Sequence, residues 1–147
     1  MLRRYEWQSR IVEVCRQYQA LTQATKHFRL AAKKDPTILR EKITPRDIEE
    51  AENNLEGIFI VRVYAEFETG LRDYWDTVRP THPMMGILMD SVAAQRKVPA
   101  SVSKNAHLVR EYRNGLVHER EDAPDSVPVD IARSHLSRFF SFLPEDW

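Results

Sequence analysis

The stretch TPRDIEEAENNLEGIFIVRVYAEFETGLRDYWDTV, residues 44–78, decides which fold class is open to this chain. Its middle, GIFIVRVYAEF, is apolar nearly all round, and its Ile, Val and Phe residues would suit a strand. The flanks argue otherwise. Thr44 is a good N-cap, Pro45 fits the first helical position, and Asp47, Glu49 and Glu50 suit the positive end of a helix dipole. No turn residues bound the apolar run. The spacing predicts one central helix of about nine turns, buried in its middle and wet at its ends.

Working outward, prolines at 36, 45, 80, 83, 99, 124, 128 and 144 cut the chain into five segments without breaking a periodic stretch. Before the central helix, Val12, Cys15, Leu21, Phe28 and Leu30 give an amphipathic helix over 3–33, followed by a connector, DPTILREKI. After it, MMGILMDSVAAQRK (84–97) and SVSKNAHLVREYRNGLVHER (101–120) read as helices, the second capped by Ser101 or Ser103. The run VDIARSHLSRFFSFL (129–143) is the last helix, with Leu136, Phe139, Phe140, Phe142 and Leu143 as core. Met84, Met85 and Met89 read as packing filler. The expectation is a single all-α domain over 1–147, an antiparallel bundle of about five helices.

The 147 residues suffice for a proper core. No apolar run reaches the roughly 20 residues that span a bilayer, and the N-terminus lacks a signal-like apolar segment. Cys15 is the single cysteine, which excludes an internal disulfide and fits a reducing cytoplasm. Net charge is zero, which argues against bulk nucleic-acid binding by counterion release. The charge is in blocks: 10 basic and 4 acidic groups over 1–44, 3 and 9 over 45–78, 7 and 3 over 79–120, and 2 and 6 over 121–147. The basic excess over 79–120 can steer a polyanion, and the alternation can equally attach helices to one another.

Within that block, residues 110–122 read REYRNGLVHERED. On a regular helix Leu108, Tyr112, Leu116, Val109, Val102 and Ala106 form one apolar sector, with Arg113 near its edge. Asn114 and His118, four apart, share a polar face. Arg113 and His118, five apart, diverge by about 140°. Either the Asn114-Gly115 pair distorts the helix and brings them together, or two chains share the site across a two-fold axis. The residue types suit RNA cleavage by 2′-OH attack. Histidine can take or give a proton near neutral pH, arginine can hold the charged phosphorane, and an amide can orient the imidazole or bind phosphate.

Arg113-Asn114-Gly-Leu-Val-His118 resembles the R-x(4–6)-H motif of the HEPN superfamily, in the form where a polar residue follows the arginine. A preceding long helix with Glu68-Thr-Gly-Leu-Arg72 and the position of the motif-bearing helix extend the resemblance by layout over 45–143. The resemblance implies an all-helical, usually dimeric domain and a metal-independent endoribonuclease, often a toxin or defence effector with an antitoxin protein as partner. It implies catalytic roles for Arg113, Asn114 and His118, and no cofactor. One subgroup carries a tyrosine two residues after the histidine; Arg120 stands there in this chain. By charge alone, Arg110 and Arg120 would hold flanking phosphates.

Blander readings of the same residues stay open. Arg113 can be a structural ion pair with Glu66 or Glu68, which can also orient it. His118 can serve the helix C-terminus. Asn114-Gly115 can be a helix stop. Tyr112 can be core or a base-stacking ring. The other histidines, His27, His82, His107 and His135, show no metal-binding spacing, so no metal is expected. The chief alternative to a nuclease is a non-catalytic module of the same shape that binds a nucleotide, an RNA or a protein.

Overall fold

The computed structural model describes residues 2–118, 122 and 124–147. It is all-helical: α1 (Arg4–Lys34), α2 (Pro45–Val78), α3 (Met85–Arg96), α4 (Ala100–His118) and α5 (Val129–Phe140), with a 3₁₀ turn at Pro36–Ile38. There is no strand among the described residues. The all-α reading and the five-helix count hold.

The start of α2 is the one expected. Thr44 caps it, accepting from Asp47 N, while the Asp47 carboxylate accepts from Thr44 N at 2.7 Å. These bonds, with that from the Thr44 hydroxyl, hold the Asp47 carboxyl below its usual range. The apolar middle of α2 is buried at Phe59, Ile60, Val63, Tyr64, Phe67 and Leu71. Phe67 meets Phe139 edge-on and Phe140 at a tilt, so these two rings are core as expected, whereas Phe142, past the end of α5, is only half-buried. Gly70 makes the α1–α2–α5 junction possible. A Cβ there would lie 2.8 Å from both the Phe140 and Trp7 rings.

Several boundaries differ from the sequence reading. The helix α4 starts at Ala100, so Ser101 lies inside its first turn and Ser103 N already bonds Pro99 O at 3.0 Å. Helix α3 ends in a left-handed Lys97 (φ 52°) before Pro99. Helix α5 stops at Phe140 rather than Leu143, and the α4 end expected at Arg120 lies outside the described residues. Met84 is 77% exposed, whereas Met89 is the buried filler.

Leu21, Phe28 and Leu30 of α1, expected on a buried face, are exposed. The reason is length. At 31 and 34 residues α1 and α2 outrun α3, α4 and α5, at 12, 19 and 12, so the far parts of α1 and α2 have just each other and the short Pro36–Ile38 turn to pack on. No helix among the described residues is long and apolar enough to cross a membrane.

Candidate functional site

Helix α4 runs unbroken through Asn114 and Gly115 to His118. The Asn-Gly pair is therefore neither a stop nor a distortion. Gly115 is buried, and a Cβ there would meet Pro124 Cδ at 3.0 Å. The close approach that glycine permits is made by the chain's own loop. With the helix regular, Arg113 and His118 diverge by about 140°. One chain does not bring them together.

Arg113 is half-buried, with its guanidinium carbon 5.4 Å from the centre of the Tyr64 ring. Its Nη1 donates to Asn114 Oδ1 at 3.1 Å. Its Nε is buried and has no hydrogen-bond partner. The two carboxylates expected beside it are engaged elsewhere. Glu66 lies 3.7 Å from Arg10 Nη1, and Glu68 accepts from Arg72 Nε and Nη2 at 3.1 and 3.0 Å. Among the described residues, Arg113 has no ion pair. A buried, unsatisfied donor on a charged group costs about 1–3 kcal/mol or more. The guanidinium is held by packing on Tyr64 and pairs with no carboxylate among the described residues.

His118 is exposed in the last described turn of α4. Asn114 is half-buried and lies one turn before it on the same face. Tyr112 is half-buried and faces elsewhere. With Gly57, Ile58, Val61 and Leu116 it lines a groove of about 440 Å³ between α2 and α4. Burial, and then Glu56, push the Tyr112 hydroxyl up. The apolar sector expected on α4 is only partly covered. Ala106 and Val109 are buried, whereas Leu108 and Leu116 are exposed because the sector is wider than its contact with α2 and α5. Arg120 lies outside the described residues.

Arg110 sits in a network that the sequence did not disclose. Its Nε donates to His107 Nδ1 at 3.2 Å and its Nη2 to Glu111 Oε1 at 2.6 Å. His107 Nε2 lies 2.8 Å from Asp90 Oδ1 on α3. The partner of His107 is 17 residues back in the chain, and no local spacing signals it. On α2, Arg72 Nη1 also donates to Pro83 O at 3.1 Å. The buried Tyr64 hydroxyl lies between these groups. Burial, then Glu68, raise its pKa strongly, while Arg110, Arg113 and Arg72 pull it down. Of the three, Arg113 is the one stacked on the Tyr64 ring; Arg72 is held by Glu68 and Pro83 O, and Arg110 by His107 and Glu111. No group of three or more His, Cys, Asp and Glu among the described residues is placed to hold a metal ion. No family model, no curated protein and no solved structure matches the chain.

Proposed function

We propose that this chain is a metal-independent endoribonuclease of the HEPN type that works as a homodimer, Arg113 of one chain facing His118 of the other. The observation that carries the reading is the half-buried Arg113 charge next to Asn114, with an orphaned Nε and no ion pair among the described residues. A phosphate oxygen is the partner such a donor lacks. In the reaction the RNA 2′-oxygen bonds to phosphorus and the P–O5′ bond breaks, leaving a 2′,3′-cyclic phosphate and a 5′-hydroxyl. His118 acts as general base or acid, Arg113 holds the phosphorane oxygens, and Asn114 orients the ring or binds phosphate. Arg110 and Arg120 hold flanking phosphates, and Tyr112 offers a ring to a base. A role as a cytoplasmic toxin or defence effector restrained by an antitoxin protein follows from the same resemblance.

One observation favours the alternative, a non-catalytic module that binds a nucleotide, an RNA or a protein. Arg113 rests on Tyr64 while His118 points away from it, so a single chain holds no assembled acid–base site. Incubation of total RNA with excess EDTA separates the two. Wild type should yield 2′,3′-cyclic phosphate ends and His118→Ala none. Equal cleavage by both proteins would place the activity elsewhere.

A further inference from the structure

The α1–α2 pair has a face that α5 covers for only part of its length. On α2, Glu49, Asn53, Glu56, Ile60 and Phe67 recur at helical intervals and so share one face. Phe67 meets Phe139 and Phe140 of α5 there. On α1, Gln8, Val12, Cys15, Gln19, Lys26 and Lys33 share a face in the same way. Gln8 donates to Ser137 O of α5. Helix α5 begins at Val129, which lines one groove with Cys15, Gln19 and Glu56. Beyond that point Gln19, Lys26 and Lys33 on α1, and Glu49 and Asn53 on α2, are exposed.

The seam left open there is a groove of about 540 Å³. Its floor is apolar, made by Ala32, Pro36, Pro45 and Ile48, of which Ala32 and Ile48 are buried. Its walls differ in sign. Residues 21–34 of α1 hold Lys26, Arg29, Lys33 and Lys34 and no acid. Residues 45–56 of α2 hold Asp47, Glu49, Glu50, Glu52 and Glu56 against one base, Arg46. Arg29 Nε and Glu52 Oε1 pair across the seam at 2.8 Å. Lys26, Lys33 and Glu49 take part in no ion pair among the described residues. The open seam runs about 21 Å along α1, from Gln19 to Lys33, and about 16 Å along α2, from Pro45 to Glu56.

These features select the occupant. A polyanion would meet the acidic wall of α2. A second copy of the same face does not suit either. Because α5 stands on this face, two copies can meet there only with their bodies at opposite ends. The two-fold then sets α1 on α1 and α2 on α2, like charge on like. A single helix fits, with an apolar ridge on the floor and one flank against each wall.

We propose that the α1–α2 groove beyond the start of α5 docks an amphipathic helix of a partner protein. That helix is three to four turns long, with an apolar ridge, an acidic flank for α1 and a basic flank for α2. It continues the bundle in line with α5. The site uses neither Arg113 nor His118 and does not rest on the nuclease reading.

The probe is a fluorescein-labelled, end-blocked peptide of about 14 residues with a Leu and Ala ridge, Glu along one flank and Lys along the other. Reversing a helix in the groove exchanges its flanks, so one mixed peptide serves. Two controls carry Lys on both flanks or Glu on both. The full chain is titrated into each and anisotropy is read. Isolated helices this short are marginal in water, so the mixed peptide should gain helix signal as it binds, saturating below about 1 mM. Either control should bind about tenfold more weakly, the sum of a few exposed ion pairs. The Ile48 methyl resonances should shift with the mixed peptide. Glu49→Lys should weaken the mixed peptide and tighten the all-Glu one, and Lys33→Glu should tighten the all-Lys one. Both positions are exposed, and unchanged circular dichroism establishes that the variants fold. No saturation by the mixed peptide, equal affinity for all three, or unmoved Ile48 methyls would overturn the docking site. Unaltered preferences in both variants would overturn the part assigned to the charged walls.

Discussion

The same substitution at two glycines of α2 should have opposite effects. At Gly70 a Cβ would lie 2.8 Å from Phe140 Cζ and from Trp7 Cδ2. Neither ring can retreat. Phe140 is fully buried, and Trp7 is 4% exposed, bonded through Nε1 to Asp73 and stacked under Arg10. At Gly57 the nearest atom is Leu116 Cδ2 at 3.3 Å, the tip of a side chain that is 37% exposed and free to rotate away. Alanine gains about 1 kcal/mol over glycine in a helix interior, and overpacking a rigid core costs about 1–3 kcal/mol. With two rings held from two helices, the upper part of that range applies at Gly70. Gly70→Ala should therefore destabilise by about 1–2 kcal/mol, and Gly57→Ala should stabilise by up to about 1 kcal/mol. Urea unfolding followed by circular dichroism at 222 nm reads both, with m unchanged if only stability moves. Gly70→Ala as stable as Gly57→Ala would refute the argument, because it would mean that the α1–α2–α5 junction is not packed as described.

Two further substitutions test the cap and the buried charge. Thr44→Ala should cost about 1 kcal/mol near neutral pH. The folded-state pKa of Asp47 is lowered, so its contribution is present above the ordinary aspartate value of about 3.9 and is lost as pH falls through the lower folded value. Wild type should lose stability over that acid window, and Thr44→Ala should lose less of it; equal acid slopes in urea titrations would contradict the cap. Arg113→Met should change stability by less than about 1 kcal/mol either way, because it removes an orphaned donor along with one cation–π contact and the hydrogen bond to Asn114. A loss above about 2 kcal/mol on thermal or urea unfolding would make Arg113 a structural residue.

Much of the fold was legible because α2 announces itself locally. A cap, a proline at the first position and an acidic first turn all act within four residues of Thr44. The exposure of Leu21 and Phe28 was not legible, since periodicity shows that a face is apolar and not whether another helix is long enough to cover it. At the site, helical geometry gave the divergence of Arg113 and His118. The pairing of Glu68 with Arg72 one turn on in α2 could have been read from their i,i+4 spacing. The contact of His107 with Asp90 could not, because it depends on how α3 lies against α4. Gly115 shows the same limit: the sequence offered it as a distortion or a stop, and its neighbour in the fold is Pro124.

The claim that Arg113 and His118 meet only across two chains is tested most directly by mixing two dead variants. Arg113→Ala and His118→Ala would each be purified, unfolded, combined in equal amounts and refolded together. In a shared site, each heterodimer keeps one intact Arg113/His118 pair, so random pairing should return about a quarter of wild-type RNA cleavage, two-fold symmetry giving two sites per dimer. No recovery in a mixture that still forms dimers would contradict the shared site.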